Sequence, residues 1–190
     1  MASDRLILGF DTSAAHCAAA LLAGERVLVA RAEEMGRGQA ERLMPLLAEV
    51  LAEGGAAWRD LDRIGVGVGP GNFTGIRISV AAARGLALAL GIPAIGVSSL
   101  DAIRAGGGPG TPAVPAPQDM AHIDRPAPAL VPRASLRDPL WPPAPADLAA
   151  AIARLAAIAP ENSPPPAPLY LRPADAAPAR DAPPMILDDA

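Results

Sequence analysis

Cysteine occurs once and histidine twice in the 190 residues, and positive charge is in deficit, with 16 Lys+Arg against 20 Asp+Glu. Each scarcity excludes something. A single Cys17 rules out an internal disulfide framework, and its place in the apolar run Cys17-Ala-Ala-Ala-Leu-Leu22 suits a buried structural thiol, because a nucleophilic thiolate needs an electropositive setting. His16 and His122 show no metal-ligand spacing and no second ligand beside them, so neither a histidine metal site nor a Ser-His-Asp relay is expected. A net charge of −4 and a pI near 5.1 are not those of a chain that alone lays a large footprint on nucleic acid. Any RNA would be held through a partner. The first apolar stretch, Leu6 to Phe10, is too short for a signal peptide or a membrane span, so a cytoplasmic location without membrane contact is expected.

What is present is apolar: 51% of the residues, enough for one well-filled core but not for two ordinary domains. Leu6-Ile-Leu-Gly-Phe10 reads as a buried strand closed by Asp11-Thr-Ser13, and Cys17–Leu22 and Val27–Ala30 read as a hairpin turning at Ala23-Gly24-Glu25. Leu43, Leu47, Val50 and Leu51 recur at helical spacing between Gln39 and Glu53, with Pro45 expected to kink that helix or mark its boundary and Gly54-Gly55 to end it. A strand at Ile64–Val68 leads through a glycine-rich turn into a helix from about Thr74, its N-cap, to Leu90, with Gly91 as its C′ residue. A strand at Ala94–Val97 and a helix at Leu100–Ala105, capped by Ser98-Ser99, complete an order βββαβαβα and an α/β layer structure with a mixed sheet.

Composition changes at residue 105, since 20 of the 23 prolines lie beyond Asp101. Proline lacks the donor that an ordinary sheet ladder needs. Residues 1–105 are therefore expected to form the domain and 106–190 a largely irregular, proline-rich segment. Two islands stand out in it. One is a short helix near 147–159, with Leu148, Ile152, Leu155 and Ala159 on one face; the other is Leu169-Tyr-Leu-Arg172, an edge strand or an extended peptide lying on the domain.

Two constellations carry candidate chemistry. Gly69, Gly71 and Gly75 punctuate a strand-to-helix turn whose amides, with Thr74 beside them, could cradle a phosphate; equally, glycine there could serve only a tight crossing. The turn is no P-loop, because Ile76-Arg77 stands where lysine and Ser/Thr would be, and its spacing does not fit the dinucleotide fingerprint. Asp11, Thr12 and Ser13 could hold a hydrated metal or a phosphate, or simply satisfy a turn. The second long helix has a small-residue surface at Ala81, Ala82, Ala83, Gly85, Ala87 and Ala89. It is apolar on more than one side, with Ile76, Val80, Ala83 and Ala87 on one stripe and Ile78, Leu86, Leu88 and Leu90 off it. Such a helix is buried on two sides, which suggests an interface.

At these residues the chain resembles the TsaB family, relatives of actin, Hsp70 and sugar kinases. The likeness rests on Leu8-Gly-Phe-Asp-Thr-Ser13, Ala40-Glu-Arg-Leu-Met-Pro45, Gly67-Val-Gly-Pro-Gly-Asn-Phe-Thr-Gly-Ile-Arg77 with Gly85-Leu-Ala87, and Gly96-Val-Ser-Ser-Leu100; weaker echoes lie in Pro168–Asp175 and Ile186–Asp189. It implies a ribonuclease-H-like, actin-like domain and a non-catalytic, metal-free subunit that forms a heterodimer with TsaD, with TsaE as a third subunit. That complex transfers threonylcarbamoyl from threonylcarbamoyl-adenylate to N6 of the adenosine 3′ of the anticodon in tRNAs reading A-starting codons. In the family the two helices pair with the same helices of the partner, so Leu43, Leu47, Val50, Val80, Ala83 and Ala87 are the expected interface, and a charge at Leu47 or Ala83 should sever the pair while the monomer stays folded. No tightly bound cofactor is implied, with ATP or ADP and magnesium at most at the complex interface, and tRNA is met only through the complex; alone, the chain could form a homodimer. Asn72 and Gln39 stand where many relatives carry serine and histidine, and the second lobe has shrunk to the proline-rich segment. Two other classes are a small ATP-dependent phosphotransferase using Asp11 and the Gly69–Gly75 loop, and a peptidase.

Overall fold

The computed structural model describes residues 5–171. The motif echo beyond Leu171, Arg172 included, lies outside the described residues, as does Ile186–Asp189. Three antiparallel strands open the chain, β1 (Leu6–Asp11), β2 (His16–Ala23) and β3 (Arg26–Glu34), followed by α1 (Gln39–Glu53), β4 (Arg63–Gly67), α2 (Phe73–Leu90), β5 (Ala94–Val97) and α3 (Ser99–Ala105). The expected order βββαβαβα is the observed one. The sheet runs β3-β2-β1-β4-β5, with β4 and β5 parallel to β1, so it is mixed.

Alternation along β1 decides what lies on each face. Leu8 and Phe10 point to one side, where Cys17, Ala19 and Leu21 of β2 join Leu43, Leu46, Leu47 and Val50 of α1 and Ile76, Val80 and Ala83 of α2 in one buried cluster. Burial, with Glu33 adding to it, pushes the Cys17 thiol up to about 11, so it is an inert core group. Helix α1 continues through Pro45, which neither ends nor marks it. The N-cap of α2 is Asn72, whose side chain accepts from the Gly75 amide, and not Thr74. Gly91 closes α2 with φ 68, a left-handed conformation that glycine adopts without a Cβ penalty.

The opposite face corrects the sequence reading most. Ile7, Ala18, Ala20, Leu22, Ile95 and Val97 are covered by α4 (Pro145–Ile158), through Leu148, Ala149, Ile152, Ala153 and Ala156. The island helix is thus a wall of the main core, begins at Pro145 instead of 147, and makes residue 105 no limit of the folded unit. Close approach needs small residues on both surfaces: a Cβ on Gly9 would stand 2.7 Å from the Ala153 Cβ, and one on Gly65 2.8 Å from the Ala156 Cβ. Arg63, only 3% exposed, ties the layers together by donating from Nη1 to the carbonyls of Ala156 (2.8 Å) and Ala159 (2.7 Å), which closes the C-terminal end of α4. Arg63→Leu leaves those carbonyls unpaired, and urea unfolding should show a loss of about 2–4 kcal/mol.

Within the described residues the proline-rich segment is partly ordered. It holds β6 (Thr111–Pro112), β7 (Val114–Ala116), β8 (Met120–Ile123), β9 (Ala129–Pro132) and β10 (Pro139–Leu140); β7-β8-β9 form an antiparallel sheet and β10 pairs with β6. Pro115 and Pro132 lie on its two edge strands, and the central β8 contains no proline, so every donor the middle strand needs is present. Leu169 to Leu171 form no strand; the Leu169 amide donates to the Val68 carbonyl at 2.8 Å and its side chain packs against the main core.

On the surface, Arg42 of α1 bonds Glu33 of β3 at 2.6 Å and Glu49 one helical face along at 2.7 Å. The Arg42 hydrogen bonds hold both carboxyls below the ordinary glutamate range. A depressed folded-state pKa contributes stability above the unfolded value and loses it as pH falls through the folded one. Arg42→Gln should therefore be less stable than the parent at neutral pH, the gap closing below the usual glutamate value of about 4.3 and shrinking in salt, as pH-dependent melting would register.

Candidate functional site

Hairpin register brings the first constellation together. Asp11 lies opposite Ala18, so His16, two residues along the same strand, is its diagonal neighbour. The imidazole Nε2 of His16 donates to Asp11 Oδ2 at 2.7 Å, and the same oxygen accepts from the Ser13 amide (3.0 Å) and Ser13 Oγ (2.9 Å). All three residues are buried. The sequence reading missed this His–Asp pair, although an offset of five residues across a strand end was the available signal. A serine relay needs imidazole between hydroxyl and carboxylate. Here the carboxylate lies between hydroxyl and imidazole, so this trio does not have the order of a serine relay.

The glycine turn closes on this constellation directly. The Asn72 amide donates to Ser13 O at 2.6 Å, and Thr12 Oγ1 donates to Gly75 O at 2.7 Å. A Cβ on Gly71 would overlap Ser13 O, and one on Gly75 would overlap Thr12 O. Gly69, at φ 96, precedes a cis Pro70. Of the residues expected to cradle a phosphate, then, Thr12, Ser13, Gly71 and Gly75 pack backbone against backbone, and Asp11 faces His16. Thr74 is exposed on the first turn of α2.

Beside this clamp opens a cleft of about 970 Å³. Its walls come from the Ser13–His16 turn, Pro70–Phe73, Ser99, the β7 and β8 strands, the Pro142–Pro145 approach to α4, and Leu169–Leu171. Among the described residues that line it, none is Asp, Glu, Lys or Arg. A magnesium nucleotide needs cations or free amides for its phosphates and an oxygen ligand for its metal. The clamp uses its own backbone in packing, and among the described residues the cleft wall supplies no carboxylate or cationic side chain for such a group.

At the rim, Phe73 and Tyr170 stack with centroids 4.9 Å apart; the Arg77 guanidinium lies 3.8 Å above the Phe73 ring, and its Nε donates to Tyr170 Oη at 2.9 Å. Separation of 93 residues along the chain hid this cluster from the sequence reading.

The second candidate surface is the helical layer. Leu43, Leu47, Val50, Val80 and Ala83, expected to face a partner, are at most 4% exposed. They bind α1 and α2 to the sheet and to each other, and Ala87 is half-buried against the same cluster. Exposed positions include Met44, Pro45 and Ala48 beside Glu41 and Glu49 on α1, and Ala81, Gly85 and Leu88 beside Arg84 on α2, with Leu88 87% exposed. Five of the six residues expected at an interface are therefore core residues of this chain. By length and composition alone α2 is also apolar enough to cross a membrane, although Ile76, Val80 and Ala83 belong to the core.

Residues 32–117 match the family model for TsaD, tRNA N6-adenosine threonylcarbamoyltransferase. The tRNA threonylcarbamoyladenosine biosynthesis protein TsaB of Escherichia coli is 37% identical over 94 residues, 50% of this chain and 40% of that protein. An uncharacterized protein of Mycobacterium tuberculosis is 49% identical over 80 residues, covering 42% and 36%. The chain thus spans less than half the length of the curated relatives it matches. The solved structure of YeaZ from Pseudomonas aeruginosa superposes with a TM-score of 0.58 at 31% identity, covering 67% of this chain and 68% of that one. With the glycine clamp, the two-helix layer and the mixed sheet all present, and with that likeness extending over two thirds of a solved relative, the chain belongs to the TsaB (YeaZ) family.

Proposed function

We propose that this chain is a non-catalytic subunit of the assembly that transfers threonylcarbamoyl from threonylcarbamoyl-adenylate to N6 of the adenosine 3′ of the anticodon, in tRNAs reading codons that begin with A. It docks on TsaD through the outward strip of α1 and α2, with TsaE as third subunit, and meets tRNA in the cytoplasm only through that complex. The observation that carries the reading is the outward surface of the two helices: Leu88 stands 87% exposed on the same helix as the exposed Ala81 and Gly85, and Met44 is exposed on α1, small or flexible apolar groups that let another helix pair approach closely. The same strip would pair two copies when the partner is missing. Family membership supports the assembly, and the Ser13–Asp11–His16 order supports the non-catalytic role. Any ATP or ADP with magnesium belongs at the complex interface, a reading supported by the lack of Asp, Glu, Lys or Arg among the described residues that line the cleft.

Reconstitution tests this. Purified TsaD and TsaE, given threonylcarbamoyl-adenylate and tRNA, should form modified adenosine at a rate that rises at least tenfold when this chain is added, and the chain alone should form none. Modification by the chain alone, or no response to it, would refute the assignment.

A further inference from the structure

We infer that the cleft is a docking groove for this chain's own apolar run Ala182-Pro-Pro-Met-Ile-Leu187, which lies outside the described residues. Continuity of the chain points to this occupant. Leu169–Leu171 form one wall of the cleft, where the Leu169 amide bonded to the Val68 carbonyl and the Tyr170 ring stacked on Phe73 fix the chain in place. Whatever follows Leu171 therefore starts at the mouth of the cleft. At up to about 3.5 Å per residue, the stretch from Leu171 to Ala182 is long enough to fold back across it. A segment tethered in this way meets the groove at an effective concentration on the order of millimolar.

Charge selects the run within that segment. Residues 172–181 and 188–189 bring Arg172, Asp175, Arg180, Asp181, Asp188 and Asp189, whereas Ala182–Leu187 carry no charge. The cleft wall matches the uncharged run: among its described lining residues are no Asp, Glu, Lys or Arg, and Pro115, Pro117, Pro142 and Pro143 give it apolar surface. A carboxylate or guanidinium moved there would lose its hydration without gaining a partner. Met185, Ile186 and Leu187 are the only large apolar side chains in residues 172–190, so they gain most from leaving water. The Pro183-Pro184 pair has little conformational freedom to lose on docking. A volume of about 970 Å³, near the top of the usual small-molecule range of roughly 300–1,000 Å³, takes several side chains at once.

Fluorescence anisotropy with a labelled peptide of residues 182–189 tests the proposal on the full chain, and because no TsaD is present its failure leaves the partner reading standing. Ile186→Asp should vacate the cleft, so the peptide is expected to bind this variant at one site and at least tenfold more tightly than the parent, whose own run competes. Adding Ala14→Trp, at an exposed position on the rim, should narrow the cleft and abolish peptide binding while the protein still melts cooperatively. The parent's resistance to the peptide should be the same in dilute and concentrated protein. No binding to either chain, equal binding to both, or binding that Ala14→Trp leaves untouched would overturn the proposal. Resistance that appears only at high protein concentration would also overturn it, by placing the run in the cleft of a second copy.

Discussion

A chain ending at Ala105 is expected to give no cooperative thermal transition, whereas the full chain melts as one unit. Helix α4 buries Leu148 and Ile152, worth about 1.5–3 kcal/mol each, and four alanines at about 0.8 kcal/mol per methyl, a total of roughly 6–9 kcal/mol. That sum is of the order of a whole domain's stability, about 5–15 kcal/mol. The truncated sheet would also expose Ile7, Leu22, Ile95 and Val97 to water and leave Arg63 without its carbonyl partners. Circular dichroism and melting of the two lengths decide the matter: a folded, cooperative 1–105 fragment would show that the sheet does not need its second layer.

The second large effect separates the two sides of the helical layer. Leu47→Asp places a carboxylate at a site with no exposure, among Leu8, Phe10 and Leu21, and should cost at least about 4 kcal/mol, enough to unfold much of the protein. Leu88→Asp, on the outward strip, should cost only about 1 kcal/mol, from a carboxylate and lower helix propensity in the last turn of α2, because it disturbs no packed neighbour. Capture of TsaD should fail in both, for different reasons. Only the Leu88 variant loses a partner while still melting cooperatively.

Much of this fold was legible in the sequence because its signals are local. Apolar runs located the five strands of the main sheet, the helical spacing of Leu43, Leu47 and Val50 located α1, and Gly91 located the end of α2. Position in space was less legible. Periodicity shows which side chains share a stripe, but a protein core and a partner are equally apolar, so the stripe Leu43–Leu47–Val50 was read as an interface when it faces the sheet. The small residues outside it, Ala48, Ala81 and Gly85, carry no such contrast. Likewise α4 was visible as a helix, but its docking depends on missing side chains at Gly9 and Gly65, which acquire meaning only when the helix lies against them. In the proline-rich segment composition misled: a donor is lost only where the ladder needs it, and Pro115 and Pro132 occupy sheet edges. The glycine turn and Asp11–Ser13 stood out as two separate constellations, and two uses of glycine were open at the turn. Overlap with Ser13 O and Thr12 O decides for close backbone packing.

Native mass spectrometry of the chain mixed with purified TsaD is the most direct test of the docking surface, run in parallel on the parent and Leu88→Asp. The parent is expected to form a one-to-one heterodimer, and the variant to leave separate, folded components. No heterodimer with the parent, or one that forms equally well with the variant, would contradict docking through this surface.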